Sequence, residues 1–321
     1  MMSMICKKVL VTGGAGFIGS HLVDALLARG CEVIVYDNLS SGKKEFLSHC
    51  LDDIDFLKRD LVSDKEIASA LDGVDQVYHV AANPDVRVGV DDTWVSVEQN
   101  IIATYNLLEA IRKVRPSDPP AISFTSTSTI YGNASVMPTP EDYGPLIPIS
   151  QYGASKLAAE ALIAAFSDNF GIRSSVFRFA NVVGSRSTHG ILIDLMRKLK
   201  KDPTRLEILG DGSQRKSYIH VSDCVDGVIH ATEAQKTQFE YYNVGTDGFI
   251  EIRNIPDIVV RAMGLKDVRL EFTGGHKGAG WKGDVKYMSL DIRKLLSTGW
   301  TYHHDSRRSL EMAASEIFKE L

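Results

Sequence analysis

The sequence predicts an α/β fold: a doubly wound parallel sheet with a smaller mixed α/β domain after it. Three observations carry that expectation. Short β-branched runs alternate with helical patterns through the first half, glycines crowd the turn after the first run, and beyond Asn181 the elements become shorter and more mixed. Residues 8–11 read as the first strand. Phe17, Ile18, His21, Leu22, Ala25 and Leu26 then recur at helical spacing, and Gly30 ends that helix. Residues 33–36 form the second expected strand, 76–80 a later one and 121–125 another. Between the last two lies a long helical pattern over roughly 93–115, stopped by Pro116. A second long helix covers about 151–170 and closes at Gly171, and a strand over 174–179 follows. Residues 1–180 are expected to form one domain and 181–321 a second, with 217–236 packing back on the first.

Bulk properties narrow the functional classes. A length of 321 residues suits two closely joined domains. A net charge of -5 argues against a chain built to hold nucleic acid. No stretch approaches the ~20 apolar residues that a membrane helix needs. The first eight residues run straight into a strand, so no secretory leader is expected. Cys6, Cys31, Cys50 and Cys224 contain no Cys-x-x-Cys pair and read as buried small hydrophobes in a reducing, cytoplasmic setting. His189, His220, His303 and His304 have no metal-ligand spacing and are expected at the surface or at caps, so no metal is expected. The basic run at 197–201 reads as a solvated helix end.

The turn itself is Thr-Gly-Gly-Ala-Gly-Phe-Ile-Gly, with Gly13, Gly14, Gly16 and Gly19 between strand and helix. Such a turn lets backbone approach a pyrophosphate, and the helix start then offers unpaired N–H groups to it. Asp37 ends the second strand about twenty residues on, where a carboxylate can accept from both ribose hydroxyls of NAD and would repel the 2′-phosphate of NADP. The competing reading makes Asp37 an ordinary turn acid in Asp-Asn-Leu-Ser-Ser-Gly. The expected architecture is thus Rossmann-type, with NAD as cofactor. Tyr152 and Lys156, four residues apart on one helix face, follow a hydroxyl-rich strand end, Thr125-Ser-Thr-Ser-Thr129. A lysine ammonium beside a tyrosine stabilises its phenolate and makes it a better base.

The glycine turn, Tyr152-x-x-x-Lys156, the Thr-Ser-Thr strand end and Arg178-Phe-Ala-Asn-Val-Val-Gly184 together resemble the extended short-chain dehydrogenase/reductases of the NAD-dependent epimerase/dehydratase type. Within that group the chain is most similar to the UDP-galactose (UDP-glucose) 4-epimerases. The resemblance implies an isomerase that holds NAD tightly, oxidises a nucleotide sugar at C4 to a 4-keto sugar and re-reduces it on the opposite face. It implies Tyr152 as base, Lys156 as holder of the nicotinamide ribose, and Thr127 as partner of the sugar 4-oxygen. For the cofactor it implies Gly13, Gly16, Phe17, Ile18 and Gly19 at the pyrophosphate, and Asp37, Asn38, Leu39, Ser40, Ser41 and Gly42 around the adenine ribose. Asp60 and Leu61 would flank the adenine, while Ala81, Ala82 and Phe179 would line the cofactor path. Asn100 resembles the asparagine of the active-site water and backbone network. The nucleotide-sugar diphosphate would meet Asn181, with Arg87, Arg215, Lys216 and Asp284 as further substrate residues. A homodimer through the two long helices is also implied.

Departures from the family pattern are local. Lys216 stands where many relatives have arginine, and Arg215 sits one place earlier, so either cation could face a diphosphate. Trp281 replaces the arginine of an Arg-Pro-Gly-Asp motif, leaving it to stack on a base or to fill an interface. Related sugar 4,6-dehydratases carry Asp-Glu where this chain has Ser128-Thr129, and a decarboxylase of UDP-glucuronate also places glutamate there. Another nucleotide-sugar epimerase or oxidoreductase, or a non-catalytic NAD sensor, remain the alternatives.

Overall fold

The computed structural model describes residues 7–84, 92–275, 280, 281 and 283–321. Six strands alternate with helices along the first part of the chain: β1 (Lys8–Thr12), β2 (Glu32–Asp37), β3 (Ile54–Lys58), β4 (Gln76–His79), β5 (Ala121–Thr127) and β6 (Ser174–Phe179). They join the strand Phe239–Val244 in a seven-stranded sheet whose order is Phe239–Val244, β6, β5, β4, β1, β2, β3. The pairs β1–β2, β1–β4, β2–β3 and β4–β5 are parallel. This is the doubly wound, Rossmann-type arrangement, and its order reverses between β1 and β4, the place where such sheets bind ligands beyond their carboxyl ends.

The strands pair because their apolar side chains are buried on both faces. Leu10, Ile34, Val77, Ile122, Phe124 and Val176 share one core with Leu107, Leu108 and Ile111 of α3 (Ala103–Val114) and Ile163 of α4 (Gln151–Phe170). Each such side chain contributes about 1.5–3 kcal/mol by leaving water. Helix α4 starts where the Ser150 side chain accepts the Gly153 N–H at 3.1 Å, and it stops at Gly171. The long helix expected over 93–115 is interrupted. It begins as α2 (Thr93–Ser96), capped by Asp92, winds as a π-helical turn over Val97–Ile102, and continues as α3. Such turns widen a helix locally and are common at functional sites.

The chain divides into two units, Met1–Ile130 with Ser150–Arg178 and Val228–Tyr242, and Tyr131–Ile149 with Phe179–Gly227 and Asn243–Leu321. A single cut at 180 therefore misplaces two segments. Residues 131–149 belong to the second unit because Thr139 bonds to Ser289, Asp291 and Asn243 there. The segment returning to the first unit is Val228–Tyr242 rather than 217–236, because its strand completes the sheet edge and Ser174 N–H donates to Gln238 O. The second unit has its own core, in which Leu192, Met196 and Leu199 of the helix Ile191–Lys201 meet Leu206, Ile258 and Leu310. Short strands surround it, including the parallel pair Arg205–Leu209 and Arg269–Thr273. His220 fulfils the cap alternative and not the surface one: it is buried, its Nδ1 accepts Ser222 N–H at 3.3 Å at the start of the helix Val221–Ala234, and its Nε2 lies 3.1 Å from Glu316 Oε2. No helix among the described residues is long and apolar enough to cross a membrane.

Candidate active site

The glycine turn lies directly beyond β1, on the switch-point side of the sheet. Gly13 has φ +70°, and a Cβ there would lie 2.7 Å from the backbone of Ala81, two residues beyond β4. A Cβ on Gly19 would lie 2.0 Å from Gly13 O, so α1 (Phe17–Leu27) packs against the turn at a distance only glycine allows. Gly16 begins α1 without any side-chain cap, which leaves the first-turn N–H groups for an anion. Phe17 and Ile18 are half-buried beside it. Glycine at these positions lets the segment after β4 and the start of α1 pack directly on the turn, with the helix start left uncapped.

Asp37 is both turn acid and candidate ribose ligand. Its Oδ2 accepts Ala15 N–H at 3.0 Å and its Oδ1 accepts Leu39 N–H at 2.8 Å. A carboxylate offers about four lone-pair sites, so two stay available for ribose hydroxyls. Burial raises its pKa, against the pull of those two N–H groups. Lys43 N–H donates to Ala15 O at 2.8 Å, which folds 38–42 over the turn. Asn38 Oδ1 accepts Ser40 N–H, and Asn38 Nδ2 donates to Asp60 at 2.9 Å. Leu61 is buried, Ser41 is exposed, and Gly42 packs on Asp37 and Ala15. Asn100, on the π-helical turn, accepts Asn83 N–H at 2.8 Å and donates to Ser155 Oγ at 2.9 Å, tying α4 to the segment after β4. Ala81 and Ala82 are half-buried in that segment, and Phe179 is buried at the end of β6.

Tyr152, Lys156 and Glu160 are successive i, i+4 residues of α4, and all three face the end of β5. The Thr127 side chain lies close enough to Tyr152 to favour its phenolate. Lys156 Nζ donates to Thr125 O at 2.6 Å and lies 4.3 Å from the Phe124 ring centroid. Glu160 accepts from Ser126 Oγ and pairs with Arg178, whose Nη2 is 2.8 Å away. Burial pushes Tyr152 up to about 12, with the Thr127 side chain pulling the other way. Burial brings Lys156 down to about 7, and the Glu160 charge resists that fall. The expected lowering of Tyr152 by Lys156 is thus outweighed in the protein alone: desolvation dominates, and the lysine is held on a backbone carbonyl.

Sequence reasoning missed Glu160 and Ser126, and it missed His79. His79 is buried at the end of β4 with Nδ1 on Thr12 Oγ1 at 2.7 Å and Nε2 on Thr104 Oγ1 at 2.9 Å. Burial, with the nearby Lys156 charge, takes it down to about 3, so it is a neutral strut. The available signal was the same in each case: a polar residue interrupting an apolar strand or helix face.

In the second unit the structure separates the two cations. Lys216 pairs with Asp284 and lies 5.4 Å from the Trp281 ring, whereas Arg215 points the other way to Glu251 at 3.0 Å. Successive strand residues face opposite sides, which accounts for the split. Trp281 Nε1 and Gln214 Oε1 are buried there with no hydrogen-bond partner among the described residues. Asn181 Nδ2 donates to Ser217 O at 3.0 Å. Arg87 lies outside the described residues. One grouping of potential metal ligands occurs among the described residues, Asp24, His49 and Cys50, where His49 already bonds Asp24 at 2.8 Å.

Sheet order, glycine cradle and the Tyr-Lys helix define a nucleotide-cofactor-binding α/β enzyme. Residues 9–245 match the NAD dependent epimerase/dehydratase family, and the chain belongs to that family. It is similar to a solved UDP-galactose 4-epimerase, at 39% identity and TM-score 0.86, over 98% of this chain and 99% of that one. It is 31% identical to a UDP-glucose 4-epimerase of Mycolicibacterium smegmatis, over 87% of this chain and 94% of that protein. A Bacillus cereus UDP-glucuronic acid 4-epimerase, solved with UDP-glucuronic acid and NAD, is 29% identical, with TM-score 0.86 over 98% of this chain and 100% of that one.

Proposed function

We propose that this protein is a UDP-glucose 4-epimerase that interconverts UDP-galactose and UDP-glucose with tightly bound NAD. The observation that carries the proposal is Tyr152 beside the Thr127 side chain, at a strand end whose next residues are Ser128 and Thr129. One base and one hydroxyl are in place, and the added carboxylates that an elimination across C5 and C6 would use are not. The glycine cradle and Asp37 would hold the pyrophosphate and adenine ribose, with Asn38 to Gly42, Asp60 and Leu61 around the adenosine. When bound, NAD accepts a hydride from the sugar C4 and returns it.

Tyr152 Oη takes the proton of the sugar 4-hydroxyl, and Thr127 Oγ1 keeps that oxygen aligned. Lys156, fixed on Thr125 O, would hold the nicotinamide ribose and supply an ammonium charge to the site. A tyrosine near 12 is almost wholly protonated at neutrality, so proton removal depends on cationic charge arriving with the cofactor and on Lys156 staying charged. Asn181, Lys216 and Asp284 are proposed for the nucleotide diphosphate. Lys216 is preferred to Arg215 because it shares an enclosed site with Trp281, and Arg215 is engaged by Glu251. Arg87 keeps its proposed substrate role from the family pattern.

The test is incubation of the purified protein, as isolated, with UDP-galactose. UDP-glucose should form with no accumulation of reduced cofactor, and NAD should be released on denaturation. Net reduced cofactor would favour an oxidoreductase, and retained NAD without turnover a sensor. Turnover confined to UDP-glucuronic acid would move the proposal to another sugar.

Two further proposals concern assembly and setting. Trp94, Ile102, Tyr105 and Phe170 expose large apolar surface on the two long helices, in keeping with a homodimer through that face. Sedimentation should give twice the mass of the chain, and a monomer at micromolar concentration would remove the idea. Cys31, Cys50 and Cys224 are buried free thiols, in keeping with a reducing cytoplasm.

A further inference from the structure

Behind the Tyr-Lys pair, one helical turn further along α4, sits a buried ion pair that no step above uses. Glu160 and Arg178 side chains are each only 7% exposed. Glu160 Oε2 receives Arg178 Nη2 at 2.8 Å and Nε at 3.2 Å, a two-pronged contact. Its other oxygen receives the Ser126 hydroxyl, from the residue between Thr125 and Thr127 on β5. Arg178 comes from β6 and also lies 4.8 Å from the Tyr241 ring centroid. The result is a ladder between α4 and β5. Tyr152 meets Thr127, Lys156 meets Thr125 O, and Glu160 meets Ser126, with Arg178 fastening the last rung to the neighbouring strand.

Two buried charges rarely add stability over apolar packing, since desolvation offsets their attraction. A pair retained here therefore calls for a second role, and its placement supplies one. We propose that Glu160 and Arg178 are positioning residues, which keep Lys156 charged and in register beneath the end of β5. The inference rests on the catalytic reading of Tyr152 and Lys156 given above.

The groups facing Lys156 are few. Glu160 and Tyr152 come from its own helix, the Phe124 ring and Thr125 O from β5, and neutral His79 from β4, while Arg178 acts from β6 through Glu160. Glu160 is the one anion in that set, and it favours the ammonium form. Removing it takes away that support while the Arg178 cation stays, and both push a proton off Lys156. Removing both residues together still withdraws the anion, while leaving no orphaned charge to unfold the chain.

The test is a pH titration of Lys156 in the intact protein labelled with ¹³C at lysine Cε, followed by NMR, with the resonance assigned by its loss in Lys156→Met. The wild-type midpoint should lie at about 7. In Glu160→Gln it should fall by about one pH unit, and in the double variant Glu160→Met/Arg178→Met it should fall by less, because the Arg178 cation is withdrawn with the anion. Arg178→Lys should restore most of the wild-type midpoint when compared with Arg178→Met. A midpoint that stays put in a folded variant overturns the proposal. So does failure of both the single and the double variant to fold, which would make the pair purely structural. Because the titration needs no turnover, its outcome is independent of whether Tyr152→Phe abolishes catalysis. A fallen midpoint with an active Tyr152→Phe variant would keep this inference and remove the catalytic reading.

Discussion

Tyr152→Phe is expected to lower kcat about 10³-fold, within the range a positioned general base supplies, while NAD stays bound and KM changes little. The reasoning is local. The phenol lies beside the Thr127 side chain, and its ring is retained in phenylalanine. Removing the hydroxyl therefore deletes the proton acceptor and little packing. Stopped assays of UDP-galactose conversion, read beside the NAD content of the same preparation, check it. Full activity in Tyr152→Phe would assign the proton to another group. Loss of NAD together with loss of activity would mean that the tyrosine chiefly holds the cofactor.

The second large effect is expected at Gly19. An alanine Cβ there would lie 2.0 Å from Gly13 O and 2.8 Å from Gly14 Cα. Both obstacles are backbone, so α1 must move off the turn, and a close-packed core resists such movement. Overpacking of this kind costs about 1–3 kcal/mol, and more where backbone must yield. Gly19→Ala should therefore lower the melting temperature and release NAD, because the same shift opens the cradle. Gly16→Ala is the internal comparison, since its Cβ would stand 3.1 Å from the same oxygen. Thermal unfolding and NAD content should rank wild type, Gly16→Ala and Gly19→Ala in that order. Wild-type stability and NAD content in Gly19→Ala would contradict the close-packed cradle.

Much of the first unit was legible because local rules and tertiary structure agree there. Strands β1 and β2 carry continuous apolar runs, β4, β5 and β6 are buried strands with short apolar stretches between polar residues, and α1 carries an unbroken helical period ended by glycine. The strand β3 was not legible. Ile54-Asp-Phe-Leu-Lys has no buried residue, and it pairs with β2 at the sheet edge between short turns. Segments 131–149 and 228–242 escaped for a different reason. Their membership depends on hydrogen bonds to residues about a hundred positions away, such as Tyr131 to Asn243, which no window of sequence contains. At the site, the i, i+4 spacing of Tyr152 and Lys156 was readable, but its extension to Glu160 was not. A glutamate on a helix is usually solvated, and only the arrival of Ser126 and Arg178 from two strands shows that this one is buried. The two cations at 215 and 216 could not be told apart by chemistry, and strand alternation divides them.

The central claim is that one enzyme-bound cofactor oxidises and re-reduces the same C4 centre within a turnover. It is tested most directly with UDP-galactose carrying deuterium at C4, given to the protein as isolated with no added cofactor. The UDP-glucose formed should keep the deuterium at C4, with no wash-out to solvent and no dilution over many turnovers. Loss of the label to water, or its appearance in exogenous NAD added as a trap, would contradict that claim.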